Sequence, residues 1–196
     1  FTSDKFTQIG SNKTRGSYNN FQKEGGTNGA WDAGVRSVKT YSGSVTSILS
    51  VSVNEPNANQ MWGISSKLPT TGHYNQIEYA FYFYPLTGSN QFGVAIYESG
   101  KKMNWGEWAA YWYGGAVKAT DPFTWIGTPG HEFRVEYDHV NKRIIYTVPD
   151  KNGNSIQSRV VPDIKWNSST RLYASSSFYQ KGDANTIHNT RYVTWR

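Results

Sequence analysis

The sequence contains no cysteine among its 196 residues, which excludes disulfide bridges and thiolate metal sites. Charged residues make up only 17% of the chain, and no apolar run is long enough to span a bilayer, so no membrane insertion is expected. Apolar residues also do not recur with the three-to-four-residue spacing of an amphipathic helix in any segment. These absences exclude a disulfide scaffold and a helical bundle, and they leave a β-rich domain.

The chain is instead rich in aromatic residues, which account for 16% of it, and in glycine, serine, threonine and asparagine. Few charges with many aromatics are typical of secreted or cell-surface β-proteins and glycan binders. The net charge of +6 favours anionic partners such as an acidic polysaccharide. The basic residues are scattered, with no block longer than Lys101-Lys102 or Lys142-Arg143, and this argues against nucleic-acid binding.

Apolar residues alternate with other residues in several segments, which is the period of a half-buried β-strand. The alternating segments are residues 45–53, 77–84, 92–97 and 132–138, and further strands are predicted at residues 143–148, 155–161, 171–179 and 186–195. Asn152-Gly153 is a strong tight-turn signal between two of them. With no crossover helices, the pattern predicts an all-β fold: one antiparallel two-sheet β-sandwich of jelly-roll type over residues 1–196.

A series of short motifs occurs in a fixed order along the chain. They are Trp31-Asp32-Ala33-Gly34, Met61-Trp62-Gly63-Ile64-Ser65, Ile77-Glu78-Tyr79-Ala80-Phe81-Tyr82, Val94-Ala95-Ile96-Tyr97-Glu98-Ser99-Gly100, Phe133-Arg134-Val135, Ile145-Tyr146 and Ser177-Phe178-Tyr179. In this order the chain resembles a concanavalin-like jelly-roll module of bacterial and phage surface proteins, related to SPRY-type domains. The resemblance implies two stacked antiparallel sheets and a role in binding glycans or proteins at cell surfaces. The resemblance implies no catalytic residues. In such a fold Trp31, Trp62, Tyr79 and Phe81 are expected in the core or on a sheet face.

The chain departs from this pattern at residues 101–130, where a tryptophan-rich insert replaces a short hairpin. A connection of about 30 residues between two strands usually has a function. The rings of Trp105, Trp108, Tyr111, Trp112 and Trp125 are predicted to stack against sugar rings. Packing of the same rings as a cover on the core is the alternative. The spacing of three of the tryptophans would also fit a short helix over residues 104–112.

A second loop, residues 65–75, lies between two predicted strands and holds His73 and Tyr74. It is expected to flank the same end of the sandwich, and both residues join the predicted carbohydrate-binding set. An ordinary solvated loop residue is the alternative for His73.

Two enzymatic interpretations remain as alternatives. A jelly-roll polysaccharide lyase acting on a uronic-acid polymer would use a Tyr or His base, together with Arg, Gln, Asn or Lys to neutralise the substrate carboxylate. Candidates for these roles are His73, Gln76, Arg134, Tyr179 and His188. A glycoside hydrolase needs two placed carboxylates, and here only Glu132, Glu136 and Asp138 alternate along one strand.

No zinc spacing, phosphate loop or nucleophile elbow occurs, so no cofactor and no metal site are predicted. The sequence therefore favours a non-catalytic carbohydrate-binding or adhesion domain. A protein-binding or structural module remains a further alternative. The sugar and the oligomeric state stay open.

Overall fold

The computed structural model describes residues 5–10, 13–17, 20–27, 29–52, 60–86, 89–98, 101–105, 133–149, 155–179 and 184–192. Strands dominate these ranges. They are β1 (Phe6–Ile9), β2 (Thr14–Ser17), β3 (Asn20–Lys23), β4 (Ala33–Ser37), β5 (Val45–Ser52), β6 (Gln60–Ser65), β7 (Tyr79–Leu86), β8 (Ser89–Glu98), β9 (Lys101–Trp105), β10 (Phe133–Asp138), β11 (Arg143–Pro149), β12 (Ser155–Val161), β13 (Tyr173–Phe178) and β14 (Ala184–Tyr192). A short 3-10 helix, Tyr74–Gln76, lies between β6 and β7.

The described strands form two seven-stranded sheets. The first sheet has the order β1-β4-β13-β6-β7-β8-β9, and the second has the order β12-β11-β10-β5-β14-β3-β2. Neighbouring strands pair antiparallel, as in β13 with β6 and β10 with β5. The predicted two-sheet antiparallel β-sandwich of jelly-roll type is confirmed.

The core lies between the two sheets and consists mainly of rings. From the first sheet, Trp62 and Phe81 are fully buried, and from the second, Phe133 and Tyr146 are fully buried. Phe81 contacts Phe133 at 5.4 Å and Tyr146 at 5.1 Å between ring centroids, both edge-on. Such edge-to-face pairs add to the free energy gained by burying the rings. The alternation read from the sequence therefore places the right residues between the sheets.

Trp166 closes one end of this core from a loop. Its ring lies edge-on to Tyr79 at 4.8 Å and to Tyr137 at 5.2 Å. The Tyr137 hydroxyl donates a hydrogen bond of 2.8 Å to the Trp166 carbonyl oxygen. Burial raises the pKa of Tyr79, and the Glu98 carboxylate that accepts from its hydroxyl raises it further. Both phenols are therefore neutral hydrogen-bond donors at neutral pH.

The first residues of the tryptophan-rich insert are extended, because β9 occupies residues 101–105 and pairs with β8. The expectation of a helix from Asn104 is wrong at its start, since edge pairing with β8 holds Asn104 and Trp105 in a strand. Residues 106–132 lie outside the described part of the chain. In the ranges that the structure describes, no helix has the length and apolar character needed to cross a membrane.

Candidate functional site

The connection between β6 and β7 crosses the outer face of the first sheet. It starts after Ser65 and ends before Tyr79, which lie near one end of the sheet. Its middle residue Gly72 packs on the backbone of Asp32 and Ala33 so closely that a Cβ atom would not fit. Ala33 begins β4 at the opposite end of the sheet from Ser65. The crossing loop, residues 66–78, therefore runs along the sheet and lies on it.

Hydrogen bonds to its own side chains fix this crossing loop. The Gln76 side-chain oxygen accepts from the backbone N–H of Thr70 at 2.8 Å and of Thr71 at 3.0 Å. The Ser65 hydroxyl donates to the Gln76 carbonyl oxygen at 2.7 Å. The buried Glu78 carboxylate accepts from the Ser66 backbone N–H at 2.8 Å and from the Ser66 hydroxyl. The bonds of Ser65 and Glu78 satisfy polar groups that would be costly to bury, and all of these bonds together give the loop a defined path.

Five rings meet where the crossing loop passes the β3–β4 loop, residues 24–32. The aromatic cluster at the surface consists of Trp31, His73, Tyr74 and Tyr179, and the buried ring of Tyr97 lies beneath it. Tyr74 lies at its centre, with centroid distances of 5.3 Å to Trp31, 5.5 Å to Tyr97 and 4.5 Å to His73. Trp31 also contacts Tyr179 at 5.2 Å. His73 is exposed, whereas Trp31, Tyr74 and Tyr179 are half-buried, so the cluster contributes to the surface.

The floor of the aromatic cluster is a small apolar group on the outer face of the sheet. Met61, Ile77, Ala80 and Tyr97 are buried there, and Trp31 and Tyr74 pack against them. Burial raises the pKa of Tyr97, and the neighbouring Tyr74 contributes to the rise. The floor holds the rings above it in place without covering them.

Two contacts orient the exposed His73 ring. It stacks on Tyr74 with an interplanar angle of 27°, and its Nδ1 lies 2.8 Å from the Asn75 side-chain oxygen. A stacked and hydrogen-bonded imidazole presents one flat face and one ring edge outward. Flat apolar faces beside a few placed polar groups are the general pattern of small-ligand sites.

Behind the rings, a buried ion network anchors the β3–β4 loop. The Lys23 side chain is fully buried, and its ammonium lies 2.6 Å from Asp32 Oδ1. Lys13, which is more exposed, reaches the other carboxylate oxygen at 3.0 Å. The Thr27 backbone N–H donates to this second oxygen at 3.1 Å. Trp31 is the residue directly before Asp32, so this network fixes the base of the aromatic cluster.

The charge state of Asp32 follows from these contacts. Burial by itself would raise the pKa of Asp32, but hydrogen bonds from Lys23, Lys13 and the Thr27 backbone outweigh burial and lower this pKa to about 2. The carboxylate is thus charged throughout the neutral and mildly acidic range.

The predicted carbohydrate-binding residues divide into three groups. His73 and Tyr74 lie together in the aromatic cluster. Trp105 ends β9, where its backbone pairs with Ala95, and Ala95 pairs in turn with Ala80 of the cluster floor. The remaining four, Trp108, Tyr111, Trp112 and Trp125, lie outside the described residues, and their role stays a prediction.

Sequence reasoning missed two members of the aromatic cluster. Trp31 was expected in the core or on a sheet face, but it lies half-buried in a loop, because Lys23 and Lys13 draw Asp32 toward β3. Tyr179 was considered only as part of a lyase set. The only signal for Trp31 in the sequence was the aspartate that follows it, and the sequence did not show that Lys23 and Lys13 would pair with this aspartate.

The structure brings only some of the lyase candidates together: His73 and Tyr179 both belong to the aromatic cluster, but Arg134 lies far from it. His73 and Gln76 lie on the outer face of the first sheet. Arg134 lies in β10 of the second sheet, between the core residues Phe133 and Val135, and therefore faces the opposite side of the sandwich. Residues 180–183 are outside the described ranges.

The Glu136 and Asp138 carboxylates of β10 accept hydrogen bonds that stabilise the fold. Glu136 accepts a hydrogen bond from Thr46 at 3.2 Å. Asp138 accepts from Arg143 at 2.8 Å and from the Asn141 side chain at 2.7 Å, which closes the turn between β10 and β11. A pair of carboxylates facing one cleft, as glycoside hydrolysis requires, is not formed by these two.

Comparison with known proteins gives a fold and no family. No family model matches the sequence, and no curated protein matches it either. A legume lectin-like domain from Entamoeba histolytica has a similar structure, with a TM-score of 0.59 at 11% identity over 97% of this chain and 91% of that one. The exoplasmic/lumenal domain of VIP36, in its Ca²⁺/Man3GlcNAc-bound form, has a TM-score of 0.59 at 8% identity over 97% of this chain and 84% of that one.

An SPRY domain is also similar. The PSpry domain of TRIM65 has a TM-score of 0.53 at 9% identity over 96% of this chain and 94% of that one. At such low identities the likeness concerns the arrangement of strands alone. The chain therefore has a concanavalin-like jelly-roll fold, of the kind found in lectin-like and SPRY domains.

Proposed function

We propose that this protein is a non-catalytic carbohydrate-binding domain that stacks sugar rings on the aromatic cluster. The observation that carries the proposal is the exposed His73 ring, stacked on Tyr74 and held by Asn75. A pyranose presents an apolar C–H face that suits a flat ring, and its hydroxyls suit nearby amide and carbonyl groups. Two solved structures with this fold support the choice of ligand class, since one is described as legume lectin-like and another holds Man3GlcNAc.

The tryptophan-rich insert extends the same site in this proposal. Trp105 pairs with Ala95, and Ala95 pairs with Ala80 on the next strand. Ala80 lies under the aromatic cluster. The insert thus begins on the sheet whose outer face carries the cluster. Rings from the insert would lengthen the binding surface to accept more than one sugar unit.

The charge of the chain favours an acidic polysaccharide as the ligand. Lys67 is exposed in the crossing loop and Lys13 is partly exposed beside Asp32. Together with the net charge of +6, these ammonium groups would attract uronate or sulfate groups. A secreted or cell-surface location is part of the proposal, because such polymers are displayed outside cells.

The test is a glycan array with neutral, uronic-acid and sulfated oligosaccharides at two salt concentrations, followed by titration of the best ligand. Tyr74→Ala and Trp31→Ala are each expected to weaken binding by about 1–3 kcal/mol, the free energy of burying a large apolar side chain. Tyr173→Ala is the matched control. It removes a half-buried tyrosine of β13 that is not a member of the aromatic cluster and lies under Arg36, and it should leave affinity unchanged.

Three results would contradict the proposal in different ways. Binding only to polyanions at low salt would mean that charge, and not ring stacking, carries the interaction. Unchanged binding in both cluster variants, with loss in Trp105→Ala or Trp112→Ala, would move the site to the insert. No glycan binding at all would favour a protein-binding or structural module.

A further inference from the structure

The ammonium group of Lys23 occupies a cage of oxygen atoms. Besides Asp32 Oδ1 at 2.6 Å, it donates to the carbonyl oxygens of Ala30 at 2.6 Å, Thr27 at 2.8 Å and Tyr179 at 2.9 Å. An ammonium has only three N–H donors, so four oxygens at these distances must share them. The Lys23 side chain is fully buried, and solvent does not compete for the group.

This cage ties three separate parts of the chain together. Lys23 ends β3 of the second sheet, Tyr179 directly follows β13 of the first sheet, and the other acceptors belong to the β3–β4 loop. The Gly29 backbone N–H also donates to the Tyr179 carbonyl oxygen, at 3.2 Å. The loop thus closes around one positive charge, and Trp31 lies between the acceptors Ala30 and Asp32.

Carbonyl and carboxylate oxygens that converge on one point are also the arrangement by which proteins bind a metal ion. Calcium takes six to eight oxygens at about 2.3–2.6 Å, usually with several carboxylates. Here four oxygens converge, only one of them from a carboxylate, and the ammonium already fills the space among them. The VIP36 domain is described in Ca²⁺-bound and metal-free forms. The residues of this cage do not fit calcium while Lys23 is present.

We propose that Lys23 is the resident cation of the β3–β4 loop, and that it holds Trp31 in the aromatic cluster without a divalent metal. The inference deepens the proposed function, because Trp31 belongs to the proposed sugar site. Lys23 is a positioning residue in this scheme. It acts on a ligand only through the loop that it orders.

The first experiment uses the unaltered protein. Thermal unfolding and amide hydrogen exchange across residues 24–32 are measured in EDTA and in excess CaCl₂. The proposal expects the same melting temperature and the same protection of the Thr27 amide in both. A fall in EDTA, or a rise with CaCl₂ confined to this loop, would overturn it.

The second experiment replaces the ammonium. Lys23→Met keeps the length and the apolar stem but leaves the cage without its charge, and it should lower the melting temperature by about 10 °C. Protection of the Thr27 amide should fall about tenfold or more, since Asp32 loses the partner that holds it. Lys13→Met is the matched control, because it removes the more exposed ammonium from the same carboxylate, and it should shift the melting temperature by no more than about 2 °C. Equal effects of the two variants would refute the special role of Lys23.

Chemical rescue keeps the proposal testable if Lys23→Met does not fold. Lys23→Ala removes three methylenes and the ammonium, and propylammonium has the same groups. Added propylammonium should therefore restore stability and loop protection in this variant, whereas propanol, which lacks the charge, should not. Absence of rescue, or equal rescue by propanol, would contradict the cation role. None of these measurements uses a glycan. If they succeed while glycan binding is absent, the proposed function fails and the role of Lys23 stands.

Discussion

The two faces of the first sheet are built in different ways. The inner face carries Trp62, Tyr79 and Phe81, which are almost fully buried against the second sheet. The outer face carries small residues such as Gly63 and Ser177, and the crossing loop lies along it. On the inner face burial of apolar rings dominates the packing. On the outer face a small apolar floor is supplemented by the hydrogen bonds of the crossing loop and by one ion network.

This difference separates stability from recognition within one sheet. Rings that are fully buried can only stabilise the fold. The rings of the outer face rest on a small apolar floor and stay partly exposed, so they remain able to contact a ligand. Their positions depend on loops, which is where binding residues are usually found.

The largest effect should come from the inner face. Phe81→Ala removes a ring that contacts Trp62, Phe133 and Tyr146, and it should lower the free energy of unfolding by about 3–5 kcal/mol. Tyr74→Ala, the outer-face counterpart, should cost less than half as much, because Tyr74 is only half-buried. Equilibrium denaturation in urea measures both. Equal losses would show that the two faces do not differ in this way.

An intermediate effect should come from the ion network of the outer face. Asp32→Asn should lower the free energy of unfolding at pH 7 by about 2 kcal/mol, since the pKa of Asp32 falls from 3.8 in the unfolded chain to about 2 in the folded one. A lowered pKa stabilises the fold above pH 3.8, and the contribution disappears as pH falls toward 2. The difference between the two proteins should therefore shrink across that interval in denaturation curves.

A control for this prediction is Asp163→Asn. Asp163 is exposed and has a φ of 60°, a conformation that asparagine also adopts, so its replacement should change stability by less than about 0.5 kcal/mol. A constant difference between the Asp32 variant and the unaltered protein down to pH 2 would mean that the carboxylate charge is not what holds the loop.

The smallest effect on stability should come from His73. His73→Ala should change the free energy of unfolding by less than about 0.5 kcal/mol, because the ring is exposed. Affinity for the glycan should nevertheless fall about fivefold, which corresponds to about 1 kcal/mol. Asn75→Ala leaves the ring in place but removes its orienting contact, and a smaller loss is expected. A stability loss without an affinity loss would make the ring purely structural.

Much of the fold could be predicted because strand alternation is local. Phe133, Val135 and Tyr137 were expected on one face, and all three are buried in the core. Ile77 was expected to share a face with Tyr79 and does not. β7 begins only at Tyr79, and Ile77, still in the crossing loop, packs with Met61 on the outer side.

The candidate site was less predictable. His73 and Tyr74 were chosen for their place in a loop between two strands. In the structure their rings stack on each other, and Asn75 forms a hydrogen bond with the His73 ring. Their contact with Trp31 could not be foreseen, because it depends on how far the crossing loop reaches along the sheet. The predicted roles of the insert tryptophans await the glycan titration.

The sequence by itself determined the fold class, the faces of the main strands and the aromatic core, since each follows from which neighbours in the chain are apolar. Only the tertiary structure decided that Lys23 meets the Tyr179 carbonyl oxygen, 156 positions away, and that Asp32 joins them. β3 and β13 belong to different sheets, and their meeting depends on strand order and on burial of a charge. A buried ammonium requires oxygen partners, but local sequence does not specify which distant segments supply them.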